Sequence, residues 1–192
     1  WSSDVCSSDL MVLSKDMYMD KVKKLKQKSA GKLIVKEYPT ASASTVHFRS
    51  LLNELNLKKN FVPDVIMVDY LNICASARIK PGNGVNSYTY IKSIAEELRG
   101  LAVEYNVPVW SATQLTRSGY GSTDPDLTDT SESFGLPATA DFFVALVTND
   151  QLEQLNQFAV KQLKNRYADP AKFKKDIIGV DKTRMRLYDV EQ

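Results

Sequence analysis

Two short apolar segments of the sequence end in side chains that could act on a nucleotide. Residues 65–69 read Val-Ile-Met-Val-Asp, and a second apolar segment, Val107 to Thr113, is followed by Gln114. A buried strand that delivers one carboxylate to its C-terminal end is a common way to hold Mg²⁺ beside a nucleoside triphosphate. An uncharged amide can change hydrogen-bond partners when the terminal phosphate leaves, without a change in its charge. Asp69 and Gln114 are therefore the first candidates for phosphoryl-transfer chemistry.

The glycine-rich loop that usually binds the triphosphate is missing from this sequence. No Gly-x-x-x-x-Gly-Lys-Ser/Thr motif occurs in the 192 residues. That loop supplies main-chain N–H groups and a lysine to the phosphates. We therefore expect the 192-residue chain to show no ATP turnover by itself.

Composition places the chain among globular α/β proteins. The formal net charge is only +2 and 43% of the residues are hydrophobic, which suits one folded domain. No apolar run approaches the roughly 20 residues that span a bilayer, and no secretory signal is recognisable, so we expect a cytoplasmic location. Cys6 and Cys74 lack the spacing of a zinc site or disulfide framework. We interpret Cys74 and His47, the only histidine, as structural.

The first ten residues differ in character from the rest. Trp1 to Leu10 contain Ser-Ser-Asp twice and show no apolar periodicity. We interpret residues 1–10 as a non-native, adapter-like scar, a kind of segment that should be excluded before fold is considered. Residues 11–192 are then the folded part, and we expect them to have lost an upstream half.

Helical and strand-like patterns alternate along residues 11–192. In the longest helix, Ile94 and Leu98 belong to an apolar stripe that is predicted to be buried, whereas Glu96, Glu97 and Arg99 are predicted to face solvent. The predicted helices are 14–29, 45–58 and 88–105, with Ser44 and Ser87 as N-caps of the last two, and the predicted strands are 32–38, 65–69, 107–113, 141–148, 157–164, 176–181 and 185–190. This order predicts an α/β fold with a mainly parallel sheet flanked by helices and an antiparallel hairpin at its C-terminal edge.

Two long polar segments follow predicted strand ends, where ligands of open α/β sheets bind. Residues 74–86 contain Arg78 and Lys80, which are candidates for DNA phosphate contacts, although two cations in a polar loop are more often only solvated. Residues 115–135 contain four acidic residues and only Arg117 as a cation. Counterion release on DNA binding cannot be strong there, so contacts through main-chain N–H groups are expected instead.

Four motifs occur in an order that resembles a known family. They are Val65 to Leu71 (VIMVDYL), Ser111 to Arg117 (SATQLTR), Glu132-Ser133 ahead of Ala140-Asp141, and Lys164 to Arg166 (KNR). This set resembles the RecA-like motor domain of DnaB-type hexameric replicative DNA helicases and is most similar to helicases of T-even-type bacteriophages. The resemblance covers about residues 11–192 and implies an incomplete P-loop NTPase core, truncated at its N-terminus.

The resemblance implies catalytic roles for the residues that match its motifs. Asp69 corresponds to the Walker B acid that holds Mg²⁺, and Gln114 to the residue that senses the γ-phosphate. Lys164 and Arg166 correspond to the basic pair that reaches into the ATP site of the neighbouring subunit, where an arginine finger stabilises the transition state.

DNA contacts and partners are implied in the same way. Ser131, Glu132 and Gly135 match the loop that grips the backbone of single-stranded DNA, although the family usually has a basic residue at position 131. The implied cofactors are ATP and Mg²⁺. The implied partners are single-stranded DNA, five further copies in a homo-hexamer, a primase and a helicase loader, with no membrane, in the cytoplasm of a phage-infected host cell.

Other interpretations stay open from the sequence alone. An apolar strand that ends in Asp is common, Gln114 could simply satisfy a strand end, and Arg166 lies in a basic stretch with nine cations against three acids between Lys161 and Arg186. The alternatives to a helicase are a recombinase ATPase of the RecA superfamily and a non-catalytic module that binds single-stranded DNA or a helicase.

Overall fold

The computed structural model of the chain describes residues 15–28, 31–80, 82, 85–114, 135–169 and 175–190. The helices are α1 (Lys15–Lys28), α2 (Thr45–Lys59), α3 (Ser87–Tyr105), α4 (Gly135–Thr139) and α5 (Asp150–Gln154), with one 3₁₀ turn at Leu71–Ile73. The strands are β1 (Ile66–Val68), β2 (Val109–Ser111), β3 (Phe142–Val147), β4 (Gln157–Asn165), β5 (Lys175–Asp181) and β6 (Arg186–Asp189). None of the described helices is long and apolar enough to cross a membrane.

The chain divides into two compact units, residues 1–37 and residues 38–192. In the first unit, α1 matches the predicted helix. The strand predicted at residues 32–38 is wrong, because this segment belongs to neither sheet. Leu33 and Val35 are more than four-fifths exposed. An alternating apolar pattern becomes a strand only when a neighbouring strand supplies its backbone partners.

The first sheet of the second unit contains β1 and β2, which are parallel and joined by α3. The predicted stripe of α3 is buried, with Ile94 only 1% exposed and Leu98 only 4% exposed. Val68 and Val109 pack against the core cluster that contains this stripe. Burial of each large aliphatic side chain contributes about 1.5–3 kcal/mol. This core fixes the strand ends that carry Asp69 and Gln114.

The second sheet is antiparallel, in the order β3-β4-β5-β6. The predicted C-terminal hairpin is therefore part of a larger antiparallel sheet that also includes β3 and β4. Only residues 148–156 separate β3 from β4, and they contain the short helix α5, which the sequence patterns did not predict. A parallel crossover needs about a dozen residues or more, so this connection permits only the antiparallel arrangement.

Helix starts differ slightly from the prediction. At α2 the N-cap is Ser44, as predicted, and its backbone N–H donates to Nδ1 of His47 at 3.1 Å, which gives the histidine a structural role. At α3 the N-cap is Asn86 instead of Ser87, and its side chain accepts from the backbone N–H of Tyr88 at 3.0 Å. Both residue types are good caps, so the sequence alone could not choose between adjacent positions.

Candidate functional site

Asp69 and Gln114 lie at the same edge of the parallel sheet. They follow the C-terminal ends of β1 and β2, and both side chains are exposed. The two chain segments continue side by side beyond the strands, since the hydroxyl of Thr113 donates to the side-chain oxygen of Asn72 at 2.8 Å. The peptide bond between Asp69 and Tyr70 is cis. Asp69 and Gln114 therefore both follow the C-terminal ends of two neighbouring parallel strands.

The surroundings of Asp69 define the kind of metal site it could join. Among the described residues there is no group of three or more His, Cys, Asp or Glu side chains that could hold a metal. Nucleotide-bound Mg²⁺ typically takes one or two carboxylates, and phosphate oxygens and water complete its coordination. Asp69 is an exposed carboxylate after β1, and a carboxylate is the type of protein ligand that such an ion takes.

Lys164 and Arg166 lie together at the end of β4. Lys164 Nζ donates to the backbone oxygen of Pro137 at 2.7 Å, and Arg166 Nη1 donates to Asp141 Oδ1 at 2.7 Å. The side chain of Arg166 is 45% exposed. Arg166 therefore pairs with an acid of its own surroundings, not with Asp69.

Asp141 joins α3 to the end of β4. Its Oδ1 atom accepts from Arg99 of α3 at 2.8 Å as well as from Arg166. The hydrogen bond from Arg99 is the largest influence and lowers the pKa of Asp141; burial opposes it, and the charges of both arginines reinforce it. The carboxylate is thus held ionised. At Lys164, burial is the main cause of a lowered pKa, and repulsion by Arg166 adds to it.

The two cations of the segment after β1 differ in their surroundings. Arg78 is held against α3, where its Nη2 donates to Glu96 at 2.8 Å and to the backbone oxygen of Ser93 at 3.0 Å. The Glu96 hydrogen bond is the largest influence on the pKa of Arg78 and raises it. Lys80 is exposed. A DNA phosphate would have to compete with Glu96 for Arg78, whereas Lys80 faces solvent.

The DNA-loop candidates fall mostly outside the described structure. Ser131 and Glu132 lie outside the described residues. Gly135 begins α4 and is buried, with the ring of Tyr88 so close that an added Cβ would meet Tyr88 Oη at 2.5 Å. Gly135 therefore provides close packing between α4 and α3.

Comparison with known proteins identifies the family. The family described as the DnaB-like helicase C terminal domain matches residues 4–186. The chain belongs to this family. The DnaB-like replicative helicase of Enterobacteria phage T4 is 49% identical over 176 residues, which are 91% of this chain and 37% of that protein. A probable replicative DNA helicase of Trieres chinensis is 28% identical over 141 residues, 72% of this chain and 30% of that protein.

Solved structures of other proteins share the fold. One of them, described as an ATPase domain, aligns with a TM-score of 0.69 and 22% identity, covering 98% of this chain and 62% of that one. A DnaB-like replicative helicase, described with its interactions with primase, aligns with a TM-score of 0.69 and 23% identity, covering 98% of this chain and 42% of that one. The predicted α/β, RecA-like architecture is confirmed. The chain spans less than two thirds of each relative.

Within this DnaB-like domain, sequence reasoning missed the role of Glu97. The side chain was predicted to face solvent with its neighbours, but it is only 7% exposed. It accepts hydrogen bonds from Thr45 Oγ1 at 3.0 Å and from the backbone N–H of Ala77 at 2.9 Å. Glu97 therefore ties α3 to α2 and to the segment after β1. An acid on the border of an apolar stripe was the only available signal.

Asp141 and Arg99 were also missed as parts of the site. The sequence places Asp141 just before a strand and Arg99 on a helix, and nothing in their spacing connects them to Arg166. Their contact depends on the packing of α3 beside α4. The resemblance included Ala140-Asp141 as a motif, which could have drawn attention to this carboxylate.

Proposed function

We propose that this DnaB-like domain is part of an ATP-dependent replicative DNA helicase, an ATP hydrolase that translocates on single-stranded DNA and unwinds duplex at the replication fork. Residues 11–192 would be the C-terminal part of its RecA-like motor domain, and residues 1–10 a non-native addition. Family membership favours a helicase over a recombinase. The observation that supports the proposal is the parallel pairing of β1 and β2, whose C-terminal ends are followed by Asp69 and Gln114.

ATP and Mg²⁺ are the cofactors that these residues fit. Mg²⁺ neutralises charge between the β- and γ-phosphates when bound. Asp69 would hold that ion, and Gln114 would hydrogen-bond the γ-phosphate or its attacking water. Lys164 and Arg166 would place positive charge at the γ-phosphate of the neighbouring subunit. A guanidinium suits this because it is permanently charged and binds phosphate oxygens as a planar fork.

The positions of the two groups favour action between subunits. Asp69 follows a strand of the parallel sheet, and Arg166 follows a strand of the antiparallel sheet and pairs with Asp141. Both are exposed. A finger supplied by the next subunit can contribute on the order of 10³-fold or more in rate. We therefore propose a homo-hexamer in which each ATP site takes Asp69 from one subunit and Arg166 from the next.

DNA and protein partners follow from the same proposal. Lys80, Arg78, Ser131, Glu132 and Gly135 would lie along or beside the path of single-stranded DNA, with Gly135 acting through the position of α4. We also propose a primase as a partner, and a structural neighbour that is described with its interactions with primase supports this. A helicase loader is a further proposed partner. The proposed location is the cytoplasm of the phage-infected host.

Two measurements test the function. The 192-residue chain alone should give no DNA-stimulated ATP hydrolysis above an Asp69→Ala control, because it has no phosphate loop. A helicase of the phage T4 type, whose arginine corresponding to Arg166 is replaced by Ala, should regain part of its ATPase when this chain is added. The Arg166→Ala chain should not restore it. Turnover by the chain alone, or equal restoration by both chains, would contradict the proposal.

A further inference from the structure

Three cations hold the C-terminal end of helix α4. Lys164 Nζ donates to the backbone oxygens of Pro137 at 2.7 Å and Ala138 at 3.2 Å. Arg166 Nη2 also donates to Ala138, at 3.3 Å. Arg99 Nη1 donates to the backbone oxygen of Thr139 at 2.6 Å. The last carbonyls of a helix carry partial negative charge and lack intrahelical partners, so these cations stabilise the helix end.

Asp141 fixes two of these cations in place. Its side chain accepts from Arg99 and Arg166, and its backbone oxygen accepts from the backbone N–H of Arg166 at 3.0 Å. The guanidinium of Arg166 therefore spans Asp141 and Ala138. The two residues proposed to bind phosphate, Lys164 and Arg166, are two of the three cations that hold α4.

We propose that Lys164 and Arg166 exchange the end of α4 for an oligophosphate, so that phosphate capture and the hold on α4 are mutually exclusive. Asp141 is the positioning residue that keeps Arg166 on α4 until phosphate arrives. This coupling rests on the proposed function, in which the oligophosphate is the triphosphate of the neighbouring subunit. It connects a candidate phosphate site to Gly135, a candidate of the DNA-binding segment.

Charge decides the direction of the exchange. Charge-assisted hydrogen bonds to a phosphate anion are stronger than those to neutral carbonyl oxygens. Lys164 and Arg166 share the oxygen of Ala138, and their mutual repulsion contributes to the lowered pKa of Lys164. A polyanion relieves this repulsion, whereas a carbonyl does so only weakly. The carboxylate of Asp141 is the main group that competes with the polyanion for these cations.

Packing transmits the change along α4. The helix has five residues, Gly135–Thr139, and its first residue is in close contact with the ring of Tyr88 on α3. The other end is joined to α3 through Arg99 and Asp141. Loss of Lys164 and Arg166 leaves Arg99 as the one member of the three cations that still holds this end of so short a helix. A response to phosphate should therefore extend over residues 135–141.

Tripolyphosphate is a suitable probe because it supplies the charge without the nucleoside. It would be titrated into the ¹⁵N-labelled 192-residue chain at constant ionic strength. The backbone amide signals of Gly135, Thr139 and Ala140 should shift together with the side-chain signals of Lys164 and Arg166. Replacement of Lys164 and Arg166 by Ala should abolish these shifts. The matched double variant at Lys182 and Arg184, two exposed cations of the β5–β6 turn, should leave them intact.

The Asp141→Asn variant separates positioning from general electrostatics. Its affinity for tripolyphosphate should rise by up to about fivefold, as expected for loss of one partly exposed ion pair. Without tripolyphosphate, the Thr139 and Ala140 signals of this variant should already lie between the positions that the free and the tripolyphosphate-bound wild type give. Asp141→Glu should return both properties toward wild type. A purely local charge effect would raise affinity without moving the ligand-free signals.

Three results would overturn the coupling. They are phosphate binding at Lys164 and Arg166 with no response in residues 135–141, no response at either place, or an Asp141→Asn variant with unchanged ligand-free signals. The first and third leave the proposed helicase function standing. Conversely, failure of the ATPase restoration experiment refutes that function even if the coupling is observed.

Discussion

Replacement of Glu97 by Gln is expected to destabilise the fold by about 2 kcal/mol, because one buried oxygen then becomes an NH₂ group that faces donors. Glu97 Oε2 accepts from Thr45 and Ala77, and Oε1 accepts from Ser76 and the backbone N–H of Arg78. The amide oxygen of Gln can keep the two hydrogen bonds that Oε2 accepts, whereas its NH₂ group cannot accept the two that Oε1 accepts. Arg78 N–H retains Ser76 Oγ as an acceptor at 3.1 Å, which limits the loss.

The effect of Glu97→Gln should depend on pH. Burial is the largest single influence on the pKa of Glu97 and raises it, but hydrogen bonds from Ser76, Ala77, Thr45 and Arg78 together leave this pKa below its ordinary value of 4.5. A folded-state pKa below the unfolded one contributes stability that is complete above the unfolded pKa. This stability is lost as pH falls through the folded pKa. The gap between wild type and variant should thus be full near neutral pH and narrow below about pH 4.5.

Urea unfolding followed by circular dichroism at neutral and acidic pH measures this gap. Glu96→Gln is the matched control, since its side chain is 42% exposed and pairs with Arg78 and Lys92 at the surface. Exposed ion pairs contribute about 0–1 kcal/mol, so the control should change little. Equal effects of the two substitutions, or a Glu97→Gln gap that is constant with pH, would refute the role assigned to the buried carboxylate.

Two further pairs of substitutions test the packing by the same unfolding measurement. Gly135→Ala should cost about 1–3 kcal/mol because its Cβ would meet the ring of Tyr88, and Tyr88→Ala in the same chain should cancel most of this added cost. Gly100→Ala should instead stabilise α3 by about 0.5–1 kcal/mol, because no atom lies within 4 Å of a Cβ added there. A similar loss of stability in both glycine variants would contradict the close contact at Gly135. Ile94→Ala should cost about 2–5 kcal/mol and Met67→Ala less than about 0.5 kcal/mol, since their exposures are 1% and 79%; comparable losses would show that Met67 is buried in solution.

The elements that could be predicted are those whose apolar residues form a local pattern because they are buried in the core. The stripe of α3 and the apolar segments before Asp69 and Gln114 are of this kind. The predicted strand at 32–38 failed because a strand also needs a neighbour, which no local pattern can supply. The alternation of strand and helix patterns favours parallel strands, but β3 and β4 are antiparallel. The connection between them, residues 148–156, is too short for a parallel crossover.

The candidate residues that could be predicted are those that are marked by their own position in the sequence. Asp69 and Gln114 follow strand ends, and parallel neighbours bring such ends to one edge. Glu97 could not be found because helical periodicity assigns it to the border of the buried face, and only the approach of residues 76–78 makes it internal. The ion pairs of Asp141 likewise join residues 25 and 42 positions apart.

The proposed intersubunit ATP site makes a quantitative prediction for mixtures. The chain could donate Arg166 to a neighbour but has no phosphate loop of its own, whereas a helicase that lacks only its finger retains the loop. If the two mix randomly in a ring, a functional interface needs one of each in a fixed order. The fraction of functional interfaces is then the product of the two mole fractions, which peaks near equal amounts at about a quarter of all interfaces. ATPase measured against mixing ratio should therefore be bell-shaped. A rate that rises steadily to a plateau with added chain would show that the chain acts from outside the ring, which is how a non-catalytic helicase-binding module would behave.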